Sequence, residues 1–412
     1  MQKFADVVTH MQQSFNYNLL YPNQVDWDVF VQQKADEPFS DCVIEYLNAL
    51  SASLLKDSNS RLYADVVTFA FFCRKANLLK LKTQYTDDKV RLGRGILFHI
   101  APGNVPVNFG YTLVAGLLAG NNNVVRVSSK EFPQVDIIIK HIDGLAKDVT
   151  YAEVSKRLVL IKYDRLSDAS TFFSSIANVR VIWGGDATIA AIRKNELPPR
   201  SFDVCFADRY SIAAIKSNAV MVASNAEIDK LAESFYNDTY LFDQNACSTP
   251  HLIFWTNAKC LAEAKQRFWA ALHRLVEKKY NLQAVLSVDK LMAFCRQAIC
   301  MDILKKEMPD NYIVRAELHQ LPKNIDAFRC VGGYFSEYNV DSLDEIAPIV
   351  TNKYQTLAYY GFERDQLVEF VKKNRLHGLD RIVPIGETTT FSLIWDGNNL
   401  LEMFSRIVTV IE

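Results

Sequence analysis

A cysteine in a polar turn is the first residue of this sequence whose type and setting indicate covalent chemistry. Cys247 lies in DQNACSTP, between the segment SFYNDTYLF and the apolar, strand-like run HLIFW. A thiolate is a strong nucleophile and can accept an acyl group from a thioester. The pKa of a free thiol is about 8.5, so a loop dipole or a cation must lower the pKa of a cysteine that acts near neutral pH.

The other cysteines and the histidines give weaker signals. No two of the eight cysteines form a Cys-x-x-Cys pair, so neither a zinc site nor a dense disulfide framework is expected. Cys205 and most of the others are expected to be buried thiols. His251 follows Cys247 by four residues, but side chains on a strand alternate faces. We therefore expect His251, His99 and His377 to lie outside the chemistry.

Two further turns carry groups that could bind a ligand. PGNVP (residues 102–106) follows the strand-like ILFHI, and WGGDATI places Gly184 and Gly185 between a strand and a helix. In the second turn, backbone N–H groups and the helix dipole could face a phosphate. Both stretches also fit ordinary strand-to-helix turns, and the second is not a G-x-G-x-x-G fingerprint.

The elements that position these turns alternate between strands and helices. After a helical region over residues 1–88, ILFHI, NNNVVRVSS, RLVLIKYD and NVRVIW read as strands, each followed by a helical segment. A second series starts near Tyr210 with the strands SIAAI, HLIFW and TLAYYGF. This alternation predicts an α/β protein with parallel sheets, whose ligands bind at the carboxyl ends of strands.

The composition favours a protein that acts on small molecules. The chain has 412 residues, 49% of them hydrophobic and 23% charged, with a net charge of -1. This length predicts more than one domain. The neutral balance gives no basic patch for nucleic acid or an anionic membrane. Because the sequence has no signal-peptide core and no apolar run of about 18 residues, we expect a cytoplasmic protein without a membrane span.

Taken in order, these motifs resemble those of the aldehyde dehydrogenase superfamily. PGNVP is similar to its Pro-x-Asn-x-Pro segment, WGGDATI to its glycine turn at the cofactor pyrophosphate, and QNAC to its nucleophile loop. From about residue 89 onward the sequence is similar in particular to the acyl-CoA reductases related to the bacterial bioluminescence fatty acid reductase component. The resemblance implies two Rossmann-like parallel-sheet lobes and a small oligomerisation element.

The resemblance also implies roles for individual residues. Cys247 would be the nucleophile, and Asn104 would help to hold the oxyanion. Pro102, Gly184, Gly185 and Thr188 belong to the two motifs that would contact the cofactor.

Two departures from the superfamily concern glutamates. The stretch FDVCFADRYS lacks the glutamate that activates water to hydrolyse an acyl-cysteine, and FRCVGGYF lacks the one that holds the nicotinamide ribose. Without a water-activating base, an acyl-cysteine is hydrolysed slowly, and this suits a reductase.

A third departure bears on the cofactor. Where many NAD-dependent relatives carry an acid for the ribose hydroxyls, this chain has Arg126, Ser128 and Lys130. A cation there favours the 2′-phosphate of NADPH. The alternative is that Lys130 and Glu131 form a solvated pair of charges at a helix entry.

These inferences predict NADPH-dependent reduction of a fatty acyl thioester, acyl-CoA or acyl-protein, to the aldehyde through acyl-Cys247. The alternatives are reduction of an acyl phosphate or a short activated acid, and an acyl-accepting scaffold without hydride transfer. The resemblance makes a fatty-acid-activating synthetase a plausible partner. The predicted domains are a nucleotide-binding domain with a helical N-terminal part (1–209), a catalytic domain (210–384) and a C-terminal oligomerisation segment (385–412), whose edge strand RIVTVI would pair with another subunit.

Overall fold

The chain forms two compact units, one ending at Ala207 and resuming at Asn398, the other spanning Asp208–Gly397. The structure, a computed structural model, describes residues 16–85, 87–164, 167–256, 260–306 and 310–411. Among these residues, no helix combines the length and the apolar character needed to cross a membrane.

The first unit contains most of the short helices and one six-stranded sheet. Its strands are β1 (Asn18–Tyr21), β2 (Arg91–Gly93), β3 (Ile96–Ile100), β4 (Asn122–Arg126), β5 (Leu158–Lys162), β6 (Val179–Trp183), β7 (Phe202–Phe206), β16 (Asn398–Asn399) and β17 (Ser405–Ile407). Its helices are α1 (Trp27–Phe30), α2 (Asp41–Lys56), α3 (Ala64–Phe72), α4 (Lys75–Tyr85), α5 (Asn108–Leu118), α6 (Pro133–Ala146), α7 (Ala152–Ser155), α8 (Ala169–Ile176), α9 (Asp186–Ile192) and α15 (Leu400–Phe404).

The sheet of the first unit has the strand order β1-β5-β4-β3-β6-β7. All neighbouring strands are parallel except β1, which runs antiparallel to β5. Every residue of β3 and β6 is buried, because parallel strands with helices on both faces have no solvent-facing side. Their sequences ILFHI and VRVIW are mostly apolar because of this burial, and His99 and Arg180 are buried polar exceptions. The chain places its turns at the ends of these strands.

The second unit is built around a seven-stranded sheet. Its strands are β8 (Tyr210–Lys216), β9 (Pro250–Thr256), β10 (Ile303–Lys306), β11 (Val314–Leu318), β12 (Tyr334–Val340), β13 (Tyr354–Tyr360), β14 (Arg381–Pro384) and β15 (Ile394–Trp395). Its helices are α10 (Ser217–Val222), α11 (Asn225–Thr239), α12 (Leu261–Lys279), α13 (Ala284–Cys300) and α14 (Arg364–Asn374).

The second sheet has the order β10-β11-β12-β9-β8-β13-β14, and only β10 pairs antiparallel to its neighbour. α11 begins with a capping box in which Ser224 and Glu227 satisfy each other's backbone N–H groups, an arrangement typical of helix starts. Phe235 of this helix packs with Phe268 and Trp269 of α12 at ring-centroid distances of 5.3 and 6.1 Å. The aromatic contacts anchor both helices in one core, which includes Trp255 of β9.

The prediction of two parallel-sheet lobes is confirmed. Two local predictions were wrong. Residues 18–21 form a strand within the region expected to be helical. The terminal strand ends at Ile407 and pairs with β2 of its own unit. A role for RIVTVI in oligomerisation stays a prediction.

Candidate active site

In the first unit, three of the predicted segments follow strands that are neighbours in the sheet. Ile100, the last residue of β3, pairs with Arg126 at the end of β4 and with Ile182 of β6. The chain passes from β3 to β4 and β5 on one side, and then returns to β6 and β7 on the other. Such a reversal opens a crevice at the carboxyl ends of the strands, where open α/β sheets bind ligands.

The loop after β3 carries Pro102 and Asn104 at this edge. Pro102 is half-buried and Asn104 is exposed. A Cβ on Gly103 would come within 3.1 Å of the Ser128 Oγ, so the loops that follow β3 and β4 approach each other closely. The structure thus brings the Asn104 turn beside the Ser128 segment, as adjacent parallel strands require.

The glycine turn after β6 leaves part of its backbone open. The Gly184 N–H donates to the Phe206 carbonyl at 3.1 Å. Gly185 precedes α9, and a Cβ on it would meet nothing within 4 Å. Thr188 packs its methyl against Gly184, and the carboxylate of Asp186 lies in the first turn of α9. A phosphate could reach the Gly185 backbone, although the Asp186 charge would oppose it.

The polar residues at the end of β4 and just after it differ in whether the protein itself binds their side chains. The Arg126 guanidinium donates to the Tyr163 carbonyl at 3.2 Å and lies 4.8 Å from the centroid of the Tyr163 ring. The Ser128 Oγ accepts from the Lys130 N–H at 3.2 Å, and the Lys130 side chain is exposed. Arg126 therefore stabilises the end of β5, whereas Lys130 is the cation that a ligand can reach.

Taken together, these residues fit a dinucleotide cofactor. The open Gly185 backbone suits a pyrophosphate, and Lys130 and Ser128 supply a cation and a hydroxyl at the next strand ends. In proteins, phosphate groups accept hydrogen bonds from backbone N–H groups, hydroxyls and cationic side chains of these kinds. Their roles in binding stay a prediction.

In the second unit, Cys247 lies in a loop held by its own polar residues. Asp243 and Gln244 adopt left-handed backbone conformations, with φ of 50° and 60°. The Gln244 side-chain oxygen accepts from the Gly333 and Tyr334 N–H groups at 2.7 and 3.0 Å. Its nitrogen donates to the Tyr334 carbonyl at 3.0 Å. Gln244 thus fixes the loop to the start of β12.

The segment that enters β8 holds the cysteine from another side. The Ser211 hydroxyl donates to the Cys247 carbonyl at 2.7 Å, and Ser211 pairs with Pro250 in the sheet. The Arg209 backbone N–H acts to lower the pKa of the Cys247 thiol. Cys247 as a residue is half-buried, and the Ser211 contact fixes its backbone at the start of the sheet.

Two sets of charges surround this thiol. Arg329 donates to both carboxylate oxygens of Asp208 at 2.7 Å and to the Arg209 carbonyl at 2.8 Å. The Arg209 guanidinium bonds to Asp380 and lies 3.8 Å from the carboxylate of Asp396. Each carboxylate near the cysteine is therefore matched by a guanidinium.

The electrostatic balance at Cys247 does not favour the thiolate. Burial raises the pKa of the Cys247 thiol, and the carboxylates of Asp208 and Asp396 act in the same direction. The Arg209 N–H and the Arg329 guanidinium lower this pKa, but less than burial raises it. The expected lowering of the pKa is thus not observed, and the Arg329 guanidinium is a charge that acts to lower it.

The histidines expected to lie outside the chemistry occupy buried or remote positions. His251 stacks on Tyr210 and hydrogen-bonds to the Cys330 carbonyl at 3.1 Å, and burial lowers its pKa to about 3. His99 bonds to Thr112 and Asn123 inside the first unit, and burial lowers its pKa to about 4. Both rings are neutral at pH 7, and neither is poised to exchange protons there.

Several residues of the cysteine surroundings were not recognised in the sequence as site residues. Asp208 and Arg209 lie within FDVCFADRYS, Arg329 within FRCVGGYF, and Asp396 within the WDG segment. In the sequence, FDVCFADRYS and FRCVGGYF were noted only for the glutamates that they lack. The charged residues within these two stretches were the signal that could have identified them as part of the site.

Known proteins resemble this chain in sequence. A family model described as acyl-CoA reductase (LuxC) matches residues 74–407. A long-chain acyl-protein thioester reductase of Photorhabdus luminescens is 24% identical over 328 residues, which cover 77% of this chain and 63% of the relative. The enzyme of the same name from Vibrio harveyi is 23% identical, with coverages of 72% and 60%. The match therefore spans less than two thirds of these relatives.

Solved structures resemble the chain in fold. A 1-pyrroline-5-carboxylate dehydrogenase from Thermus with bound NAD has a TM-score of 0.62 and 14% identity, covering 93% of this chain and 83% of that one. A benzaldehyde dehydrogenase from Corynebacterium glutamicum has a TM-score of 0.60 and 12% identity, covering 95% and 94%. The aldehyde dehydrogenase-like fold class is confirmed.

Proposed function

The chain belongs to the acyl-CoA reductase (LuxC) family, and from this premise we propose that it reduces a fatty acyl thioester to the aldehyde. The observation that carries the proposal is the half-buried thiol of Cys247, held in a fixed loop beside the Arg329 guanidinium. The names of the relatives support an acyl-protein as acyl donor. An acyl-CoA is a donor of the same chemical class.

In the proposed reaction, the Cys247 sulfur attacks the thioester carbonyl and the donor thiolate leaves. The products of this step are acyl-Cys247 and a free thiol, after the thiolate takes a proton from solvent. Addition of hydride to the acyl carbon gives a thiohemiacetal oxyanion. As the carbonyl re-forms, the carbon–sulfur bond breaks, the aldehyde leaves and the Cys247 thiolate returns.

A nicotinamide dinucleotide, when bound, supplies the hydride for this reduction. Gly184, Gly185 and Thr188 are the residues proposed to hold its pyrophosphate. Lys130, with Ser128, would take the 2′-phosphate of NADPH, and Arg126 and Pro102 would support the same edge. The neighbour with bound NAD supports a cofactor of this class.

The charges around Cys247 also bear on the fate of the thioester. A dehydrogenase needs a free carboxylate to draw a proton from the water that hydrolyses the acyl-cysteine. Among the described residues, Asp208 is bound on both oxygens by Arg329, and Asp396 is bonded to Gln355. Burial raises the pKa of the Asp396 carboxyl, so the proposal rests on Asp208, whose two oxygens are both occupied by Arg329. With Asp208 engaged in this way, the acyl group would persist until hydride arrives.

The decisive experiment is aldehyde detection with NADPH and thioesters of graded chain length. Intact mass spectrometry without NADPH should show one acyl group on the wild type and none on Cys247→Ala. Cys330→Ala, a second half-buried thiol of the same unit, should keep both the adduct and the aldehyde. Aldehyde formation by Cys247→Ala would rule out the proposed mechanism.

The same assay separates the other possible functions. Turnover of an acyl phosphate without turnover of any thioester would indicate an acyl phosphate reductase. An acyl-Cys247 adduct that persists after NADPH addition would indicate an acyl-accepting scaffold.

Asn104 and the partners complete the proposal. Asn104→Ala tests the oxyanion role, because it should slow the reduction without preventing dinucleotide binding. Self-association and a fatty-acid-activating enzyme as acyl donor are further proposals.

A further inference from the structure

Helix α13 carries a lysine whose ammonium is sealed inside the second unit. Lys290 is 0% exposed. Its ammonium donates to the Gly332 carbonyl at 2.6 Å and to the Asn311 carbonyl, and both of these acceptors are uncharged backbone groups. Burial lowers the pKa of Lys290 to about 8, whereas Asp310 and Cys330 act to raise it, but less than burial lowers it. The side chain is therefore mostly charged at pH 7, and burying that charge costs free energy. This cost indicates a role besides packing.

The carbonyl that Lys290 binds belongs to a peptide group that also holds the cysteine loop (residues 243–250). The nitrogen of this peptide group is the Gly333 N–H, which donates to the Gln244 side-chain oxygen at 2.7 Å. A cation on the carbonyl of a peptide group polarises that group and makes its N–H a stronger donor. The charge of Lys290 thus reaches Gln244 through a single peptide group.

The Gly332–Gly333 turn depends on such contacts for its orientation. Gly332 and Gly333 have φ values of 68° and 91°, in a region of backbone conformation that is open to glycine. Glycine is permissive in its backbone angles, so the hydrogen bonds of the turn must fix the orientation of the peptide group between the two residues.

Gln244 joins the two ends of the cysteine loop. Its side-chain nitrogen donates to the Pro250 carbonyl at 3.3 Å, and Gln244 and Pro250 lie three residues before and three residues after Cys247. The Gly332 N–H adds a hydrogen bond to the Asp243 carbonyl at 3.0 Å. The loop that carries the thiol is therefore tied to the turn that the ammonium holds.

We propose that Lys290 is a positioning residue for Cys247, whose ammonium fixes the Gly332–Gly333 peptide group and, through Gln244, the cysteine loop. The proposal rests on the proposed function in taking Cys247 as the reacting group. Loss of the charge should loosen the loop and affect the thiol in two opposite ways. A thiol that leaves its fixed place accepts an acyl group more slowly. Since burial is the largest cause that raises the pKa of the Cys247 thiol, a loosened loop should also lower this pKa.

Lys290→Met removes the charge and keeps a side chain of similar length. The kcat for aldehyde formation should fall about tenfold, while the KM for NADPH stays the same, because the proposed cofactor residues lie in the first unit. Alkylation of Cys247 by iodoacetamide at pH 7, assigned by peptide mass spectrometry, should become about threefold faster, which corresponds to a fall of about half a pKa unit. Both rates are measured at a temperature at which circular dichroism shows the variants to be folded.

Lys265→Met is the matched control. Lys265 is another buried lysine of the same unit, 5% exposed, and its ammonium donates to Glu317 of β11 rather than to the turn or the cysteine loop. This variant should lower the free energy of unfolding without changing either rate. If Lys290→Met does not fold, Lys290→Gln keeps an N–H donor without the charge and should change both rates in the directions given for Lys290→Met.

A double variant tests the route through Gln244. In a chain that already carries Gln244→Leu, Lys290→Met should change both rates by a smaller factor than it does in the wild type. Unchanged alkylation in both Lys290 variants, the same changes in Lys265→Met, or full multiplication of the Lys290 and Gln244 effects would each overturn the proposal. A wild type that forms no aldehyde, but whose alkylation responds to Lys290→Met as expected, would reject the proposed reaction and support the positioning role.

Discussion

The two units place their candidate residues at opposite ends of parallel strands. In the first unit, Asn104, Lys130 and Gly185 follow the carboxyl ends of β3, β4 and β6. In the second unit, Arg209 immediately precedes β8, and Cys247 precedes β9 by three residues. Arg329 and Asp380 likewise lie before β12 and β14. The same kind of sheet thus supports two kinds of site.

The difference has a physical basis. A carboxyl end leads into a helix N-terminus, where backbone N–H groups offer partial positive charge to a phosphate. The amino ends of strands have no such array, and the second unit supplies charged side chains instead, as with Arg329 on Asp208. The carboxyl-end rule for α/β sheets therefore located the proposed cofactor residues, but it gave no guide to the surroundings of the nucleophile.

Removing the nucleophile should have the largest effect on the second unit. Cys247→Ala is expected to lower the rate of aldehyde formation by ~10³-fold or more, because the proposed acyl intermediate forms on the Cys247 sulfur. Dinucleotide binding, measured by fluorescence titration, should be unchanged if the first unit holds the cofactor. A Cys247→Ala variant that loses dinucleotide affinity would break the division of roles between the two units.

Asp238 lies behind the cysteine loop and should make stability depend on pH. Its carboxylate accepts from the Gly386 and Thr388 N–H groups, and burial raises its pKa to about 6. Because this pKa is above the unfolded value, Asp238 stabilises the fold below about pH 4, and that stability is lost as the pH rises through 6. The loss amounts to up to about 3 kcal/mol.

Asp238→Asn should remove this dependence. Relative to the variant, the wild type should lose stability between pH 4 and pH 7 in urea unfolding, while Asp365→Asn, at an exposed position of α14, should behave as the wild type does. Parallel pH curves for wild type and Asp238→Asn would contradict the prediction. His99 of the first unit should have the opposite effect on the pH dependence of stability. Because burial lowers the pKa of His99, its contribution to the stability of the fold is lost as the pH falls from about 6.5 to 4.

Arg329 and Asp208 should shift the reactivity of Cys247 in opposite directions. Arg329 lowers the pKa of the thiol and Asp208 raises it. Arg329→Gln should therefore move the pH dependence of Cys247 alkylation by iodoacetamide to higher pH, and Asp208→Asn should move it to lower pH. A shift of one pKa unit changes the rate near neutral pH by about tenfold. Arg329→Lys should recover part of the loss, because it retains the charge.

If Arg329→Gln and Asp208→Asn both shift the pH dependence of alkylation in the same direction, the two variants only disturb the loop. Peptide mass spectrometry assigns the alkylation to Cys247 rather than to Cys330. The measurement therefore tests whether charged side chains control the site in the second unit, whereas backbone N–H donors are proposed to bind the cofactor in the first.

Lys130 should have the smallest effect, and one limited to the cofactor. Lys130→Ala is expected to raise the KM for NADPH by about fivefold to tenfold while that for NADH stays the same, because only NADPH carries the 2′-phosphate. Lys194→Ala, at another exposed lysine of the first unit, is the matched control. If Lys130→Ala changes the KM for NADPH and NADH equally, or changes neither, Lys130 does not bind the 2′-phosphate. Lys130 and Glu131 would then be a solvated pair of charges.

Much of the fold was predictable where local pattern and burial agree. β3, α5, β4, α6, β5, α8, β6 and α9 occur in the predicted order, because buried parallel strands are short apolar runs and their helices begin near proline or glycine. Helix α13 was not recognised, since its buried positions include Lys290 and Gln297. β7 was not recognised either. Its sequence FDVCF carries Asp203, whose charge is matched by Arg180 at 2.7 Å.

By itself, the sequence determined the order of the elements, the nucleophile candidate and the family resemblance, because these depend on residue types at fixed separations along the chain. Only the tertiary structure decided which charges surround Cys247. Asp208, Arg329 and Asp396 are far apart in sequence. Asp208 and Arg329 precede strands β8 and β12 of one parallel sheet, whereas Asp396 follows β15, which lies outside that sheet, and all three charges act on the Cys247 thiol. Only the tertiary structure also showed that Val288 and Met292 of α13 are exposed, since burial depends on what each side chain packs against rather than on its own polarity.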